Sequence, residues 1–309
     1  MKNYKWPTPV GSGATVGIVS LGAPDAGDNP LFFERGLEWL KSRGIQAKVG
    51  SSTLGNNGFL AATPANLVSD LNDFLRDPEV SLIMAAGGGA NCNQLLRLLD
   101  LDLFAKEGKG LIGLSNPTVL LNALTAHSGV ISFHGPAVVW NLGGEEPLDD
   151  YSERHMWKAL RQDRPMTIDS EETWSWLRPG ICDGVLFGGN LWSLQQLIGT
   201  PWEPDWTNAI LFIEDCFTQL HQIDAILTHF DDAGVFNQIA GLVVGVFESC
   251  SEEDYSPAPT TEQIVMRIVD RYNFPVLAGV HLGHTSRKIT VPIGASARLD
   301  STQNSFVVR

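Results

Sequence analysis

The sequence predicts an α/β protein, with a parallel sheet in its N-terminal half and a mixed α/β domain from about residue 180 onward. Three observations carry this. Strand-like and helix-like segments alternate through the first half, a pattern that builds a parallel sheet with helices on both faces. A polar stretch, residues 141–182, then breaks the alternation. Apolar runs of strand length return at 185–190, 209–214, 242–247 and 289–293, with helix-like spacing at 223–230 and 261–272. The expected division is therefore 1–140, a connecting segment 141–182, and 183–309.

The elements follow in order. Residues 15–21 (TVGIVSL) are β-rich and apolar and end in GAPDAGDNP, a loop dense in Gly, Pro and Asp. Residues 31–42 carry apolar side chains at 33, 37 and 40, a helical spacing that stops at Gly44. Residues 45–49 read as the second strand. Leu67, Leu71, Phe74 and Leu75 mark a helix over 65–75, which ends before Asp77-Pro78. Residues 80–86 are a buried strand running into Gly87-Gly88-Gly89, and 93–99 read as the next helix. Residues 110–114 form a strand, and 117–127 a helix with proline in its first turn.

Charge narrows the function classes. Lys and Arg number 21 and Asp and Glu 35, a formal net charge of −14. Such a chain repels nucleic acid polymers and anionic lipid unless it concentrates its cations. Its densest basic stretch, 154–164, is interleaved with Glu153, His155 and Asp163. The four cysteines are scattered without CxxC or Cys/His spacing, so neither zinc nor a disulfide framework is expected. MKNYKWPTPVGSG has no apolar core of a signal peptide. The apolar runs, such as 241–247, fall far short of the ~20 residues that span a bilayer. The expectation is a soluble protein of a reducing compartment, most simply the cytoplasm.

Several residues sit where chemistry is done. Ser115 lies at a strand-to-helix turn, which lifts a nucleophile above the sheet edge beside free backbone amides. Ser and Asn are also helix caps, and GLSNP lacks the last glycine of GxSxG, so spacing alone favours the cap. Gly87-Gly88-Gly89 follow a strand and suit an anion or a tight turn. They lack the GxGxxG pattern of a dinucleotide site, with Cys92 at the third glycine position. Glu214 ends a strand, as site carboxylates of open α/β sheets do and as solvated acids do too. His284, in GVHLGHTSRK, suits a general base or a hydrogen-bonded loop histidine, and no HxxxH or HExxH pattern makes it and His281 metal ligands. Together they supply a serine, an acid and a base, the three groups that make an alcohol nucleophilic.

GLIGLSNPTVLLNALTAHSGVISFHGP resembles the nucleophile segment of the LD-carboxypeptidase family of serine peptidases. LFIEDC resembles its glutamate strand and LGHTSRKITVPIG its histidine loop, with GVLFGGNLWSLQQLIGTPWEPD between them. VGIVSLGAP and DPEVSLIMAAGGG agree, so the similarity covers nearly the whole chain. The resemblance implies a Ser115–Glu214–His284 triad, a flavodoxin-like N-terminal domain, a smaller C-terminal domain, and a homodimer without metal or organic cofactor. It implies an oxyanion hole from the Asn116 amide and a glycine-loop amide, Gly88 or Gly89.

Two departures from the family pattern stand out. Asn116 replaces the aspartate common after the serine, a change that leaves a backbone amide in place. The glycine loop reads GGGANCN where murein-cleaving members tend to read Arg-Gly-Gly-Tyr-Gly, and is similar to GGxNxN of the microcin C self-immunity branch. That branch hydrolyses the bond joining an aspartyl group to a modified adenylate. TWSWLRPGICDGVLFGGNL is similar to it as well, which implies that Trp174 and Trp176 stack on a nucleobase, against a plain packing role at the domain junction. Glu248 stands at that branch's carboxylate position, suited to a substrate amine or to solvent. The expected function is hydrolysis of an amide-type bond in a small peptide or aminoacyl-nucleotide. The rivals are a murein tetrapeptide LD-carboxypeptidase and a non-catalytic peptide- or nucleotide-binding module, the latter of which a serine-directed phosphonate would leave unmodified.

Overall fold

The computed structural model describes residues 4–146, 148–169 and 173–309. The first sheet starts with β1 (Thr15–Val19), β2 (Gln46–Val49), β3 (Val80–Ala85), β4 (Gly110–Gly113) and β5 (Ser132–His134). They lie in the order β2-β1-β3-β4-β5 with every neighbouring pair parallel. This is the flavodoxin-like order, whose crevice opens beyond the carboxyl ends of β1 and β3. The connections are helical: α1 (Asp25–Asp28), α2 (Pro30–Ser42), α3 (Pro64–Arg76), α4 (Leu101–Glu107) and α5 (Thr118–Ser128). In α3, Thr63 caps the first turn by accepting the Asn66 N–H, and Leu67, Val68, Leu71, Phe74 and Leu75 are buried. Each contributes ~1.5–3 kcal/mol by leaving water. Residues 92–98, expected as an ordinary helix, are a tighter 3₁₀ helix (Cys92–Leu98).

Helix α5 is the central support of the site. Thr118 to Ala126 are buried without a break, as in a helix enclosed on all sides. Its buried amide side chain is satisfied: Asn122 donates to the Gly188 carbonyl at 2.8 Å and accepts the Gly188 N–H at 3.0 Å. Thr118 accepts the Asn190 N–H at 3.1 Å. These bonds fasten the helix after Ser115 to the second sheet.

Residues 141–182, expected as a connection, carry α6 (Asp150–Arg161), β6 (Met166–Ile168) and β7 (Ser175–Arg178). In α6 only one face is apolar, and it buries Tyr151, Met156, Trp157 and Leu160. The second sheet continues with β8 (Ile181–Asn190), β9 (Ala209–Cys216), β10 (Gly241–Glu248) and β11 (Val276–Val280). The chain then leaves for the first sheet as β12 (Val291–Ile293), antiparallel to β5, and returns as β13 (Ser296–Asp300) and β14 (Ser305–Val308). The second sheet has the order β6-β14-β13-β8-β9-β10-β11-β7. Its four central strands, β8 to β11, are parallel, and its flanks are antiparallel. This sheet has eight strands against six in the first. Helices α7 (Leu191–Leu194), α8 (Leu220–Asp232) and α9 (Thr261–Val269) complete it. Among the described residues no helix is long and apolar enough to cross a membrane.

Candidate active site

Ser115 occupies the sharp turn between β4 and α5 with φ of 69°. The left-handed region costs a residue with a Cβ of order 1 kcal/mol and persists where the surroundings over-determine it. Here the Thr118 N–H donates to the Ser115 carbonyl at 2.9 Å and α5 is fixed by β8. Asn116 behind it is fully buried. Its side chain accepts the Cys92 N–H at 2.7 Å and donates to Ser193 at 3.1 Å. Ser193 donates to Asn190, and Asn190 donates to Asp215. An amide both accepts and donates at this point, which is the local reason for asparagine where the family commonly has aspartate.

The glycine loop closes over the serine. A Cβ at Gly88 would come within 3.0 Å of Ser115 Cβ and 3.3 Å of its Oγ. Gly89 has φ of +126°, a conformation that favours glycine. Of the two glycine-loop amides expected as oxyanion donors, the Gly88 N–H donates to Asp25 Oδ2 at 2.8 Å. The amides of Gly89 and Asn116 have no acceptor among the described residues.

Glu214, at the carboxyl end of β9, is fully buried and accepts from His284 Nδ1 at 2.7 Å through Oε2. Its other oxygen lies 3.6 Å from Nε2 of the buried His134. Gly283 has no side chain because a Cβ there would collide with the Glu214 carboxylate. Burial alone would lower the pKa of His284, but the Glu214 charge and the hydrogen bonds that the ring makes to Cys216 and Glu214 push it up to about 10. Burial likewise opposes ionisation of Glu214, and His284 outweighs it, holding the carboxyl below its ordinary value. His134, buried with neither ring nitrogen hydrogen-bonded, goes the other way: burial lowers it to about 4 against the pull of Glu214, so it is neutral. The carboxylate is thus paired with one imidazolium and packed against one neutral imidazole.

Ser115 and His284 line one cavity of about 380 Å³, together with Asp25, Gly88, Gly89, Trp140, Asn141 and Phe217. A neighbouring cavity of about 470 Å³ shares His284, Trp140 and Asn141 and adds Glu146, Asp149, Glu248 and Lys288. A larger one of about 540 Å³, beside Tyr4 and His127, holds none of these groups. An alcohol, an imidazole fixed by a buried carboxylate and the free Gly89 amide around one cavity, with the free Asn116 amide next in the chain to the alcohol, can run acyl transfer.

Comparison with known proteins agrees. Residues 16–135 match the model of the LD-carboxypeptidase N-terminal domain, and residues 183–299 that of the LD-carboxypeptidase C-terminal domain. The chain belongs to the LD-carboxypeptidase family. As a member it is an enzyme, a peptidase. The probable murein peptide carboxypeptidase of Bacillus subtilis (strain 168) is 32% identical, over 99% of this chain and 94% of that protein. The microcin C7 self-immunity protein MccF of Escherichia coli is 29% identical, over 94% and 92%. A structure of MccF in complex with aspartyl sulfamoyl adenosine superposes with a TM-score of 0.90 at 26% identity, covering 98% of this chain and 97% of that one.

Within this family member the residues read from the sequence divide into two groups. Ser115, Gly89, Asn116, Glu214, His284 and Glu248 converge on the two adjoining cavities or the groups that line them. Trp174 and Trp176 do not line either cavity. Trp176 lies on the edge strand β7, where its Nε1 donates to Asn304 at 2.8 Å. Sequence reasoning missed Asp25, His134, Phe217 and Lys288. His134 carried a signal, a histidine ending an apolar strand. Phe217 carried one only in three dimensions: it is 78% exposed, with φ of 58°, and its N–H donates to the Glu248 carbonyl.

Proposed function

We propose that this chain is a serine hydrolase that cleaves the amide-type bond of a peptidyl- or aminoacyl-nucleotide of the microcin C kind, and so detoxifies it. Ser115 attacks the carbonyl while His284, through Nε2, accepts the serine proton. His284 then returns that proton to the leaving nitrogen, and water repeats the cycle to release the acid. Glu214 fixes the Nδ1–H tautomer and stabilises the imidazolium. The Asn116 and Gly89 amides hold the oxyanion, the kind of interaction usually worth most to the rate. The observation that carries this reading is the 2.7 Å bond from His284 to a fully buried Glu214, with Ser115 on the same cavity.

The nucleotide half of the reading is supported by the likeness to MccF and by the bare GGGANCN loop. It is supported also by the exposed faces of Phe217 and Trp140 on the Ser115 cavity. A planar base stacked on such a face gains ~1–3 kcal/mol. In this proposal Glu248 receives the substrate amine, and the enzyme acts as a homodimer. A second reading, murein tetrapeptide LD-carboxypeptidase, is favoured by the identity with the B. subtilis protein and uses the same groups.

Mass spectra of products from a panel of aminoacyl-nucleotides and muropeptides separate the two. Release of the free amino acid from an aminoacyl-nucleotide is expected. Cleavage of LD-tetrapeptides with no aminoacyl-nucleotide hydrolysis would establish the second reading instead.

A further inference from the structure

The triad uses one oxygen of Glu214 and leaves the other unexplained. Oε2 accepts from His284, whereas Oε1 is buried and makes no hydrogen bond among the described residues. Its neighbour is Nε2 of His134, 3.6 Å away, and both side chains are fully buried. Neither ring nitrogen of His134 has a hydrogen-bond partner among the described residues. A donor and an acceptor thus face each other across a gap slightly too long for a hydrogen bond. Bonds of this kind are often long at rest and tighten in the reacting complex.

The fold aims the ring. His134 ends β5, whose backbone is paired on one side to Gly113 and on the other to Val291. The ring meets Phe212 edge to face, at 5.6 Å between centroids. Phe212 and Glu214 stand two residues apart on β9 and so present the same face of the strand. A Cβ at Gly189 would come within 3.1 Å of His134 Nδ1, so the glycine leaves the ring its seat. A side chain of the first sheet is thereby laid against the carboxylate of the second. The ring is kept neutral by burial, so it carries one N–H, and the Nε2–H tautomer turns that donor toward the anionic oxygen.

We propose that His134 is a positioning residue: its Nε2–H holds Glu214 charged and oriented while His284 is neutral, the state that accepts the serine proton. A cationic His284 neutralises Glu214 by itself, and a second donor then adds little. With His284 neutral the buried carboxylate keeps its full charge, and the His134 donor counts most. His134 therefore favours the neutral base and makes it available at lower pH. This rests on the proposed role of His284 and holds for either substrate. Asp25, Glu146, Asp149, Glu248 and Lys288 share cavities with His284. Asp215 and Cys250 lie within reach of the Glu214 charge, and Cys216 of the His284 ring. All of them are common to the variants below, so the comparison isolates the His134 ring.

The test combines nitrogen NMR of the histidine rings with kcat/KM against pH, on the native enzyme, His134→Leu and His134→Gln. In the native protein His134 is expected to stay neutral and in the Nε2–H tautomer across the working pH range. His134→Leu should raise the midpoint of His284 by ~1 pH unit, and kcat/KM at a fixed pH on the acid limb should fall ~10-fold. His134→Gln returns an N–H near the position of Nε2 and should bring the midpoint most of the way back. An Nδ1–H tautomer or a cationic His134 in the native protein would overturn the proposal. So would a loss of activity in His134→Leu with the His284 midpoint unmoved, the mark of a merely structural role. If that variant fails to fold, the tautomer in the native protein decides alone. A midpoint that moves without the rate following would sink His284 as the base and leave the pairing of His134 with Glu214 standing.

Discussion

Replacing Glu214 by Gln changes one atom and removes the charge on which His284 depends. In the native chain that imidazole titrates at about 10 instead of 6.5. At 1.36 kcal/mol per tenfold change, the cationic form is favoured by ~5 kcal/mol, a sum in which burial opposes and Glu214 outweighs it. The sign for catalysis follows directly. His284 accepts a proton only when neutral, so kcat/KM should fall on the acid side, with its limb above pH 6.5. In Glu214→Gln burial persists while the opposing charge is gone, so the limb should move below pH 6.5. The plateau should also fall by ~1,000- to 10,000-fold, because a glutamine amide can hold the imidazole in the wrong tautomer. The assay is kcat/KM from pH 5 to 10 on both proteins, with an activated substrate that makes acylation rate-limiting. A limb that stays in place, or activity within tenfold of the native enzyme, would refute the account of His284 as a base tuned by Glu214.

Ser115→Ala and Ser115→Gly should each lose at least ~1,000-fold in turnover. The glycine variant should unfold at the higher temperature, by up to ~1 kcal/mol, because φ of 69° suits it better than alanine; the reverse order on calorimetry would remove the strain. Asp25→Ala frees the Gly88 N–H and should lower kcat by ~10- to 100-fold with KM little changed, as the glycine loop loses its anchor. Asp25→Asn keeps an acceptor and should recover most of the rate. Phe217→Ala should leave the melting temperature almost untouched, since the ring is exposed, yet cut kcat/KM for a nucleotide-bearing substrate by ~5- to 150-fold. An equal loss with a small activated ester would argue against stacking.

What could be read from the chain was what its neighbours along the chain determine. The run from β4 through Ser115 into α5 is written by an apolar strand, a polar turn and a proline, all within ten residues. The ends of β9 and β10, with Glu214 and Glu248, are marked the same way. Asp25 and Gly88 are 63 positions apart, and no local pattern announces that one anchors the other. Lys288 looks like a solvated lysine in a polar loop until the fold buries it. The stretch 141–182 was obscured because α6 shows only one apolar face and β6 has three residues. Short strands on the flanks of a sheet draw their stability from partners far along the chain, and β13 and β14 were overlooked for that reason.

The route of the chain after β11 bears on how this protein can be taken apart. The loop carrying His284 leaves the eight-stranded sheet, and its far end, β12, is stitched to the six-stranded one at Val291 opposite His134. The two sheets are therefore not interchangeable modules. A fragment ending before residue 183 would expose the hydrogen-bonding edge of β5, an invitation to aggregate. A fragment beginning there would carry three residues of strand with nothing to pair. Co-expressed halves should recover activity only when β12 finds its seat, which makes strand docking, observable by amide exchange at β5, the event that assembles the enzyme.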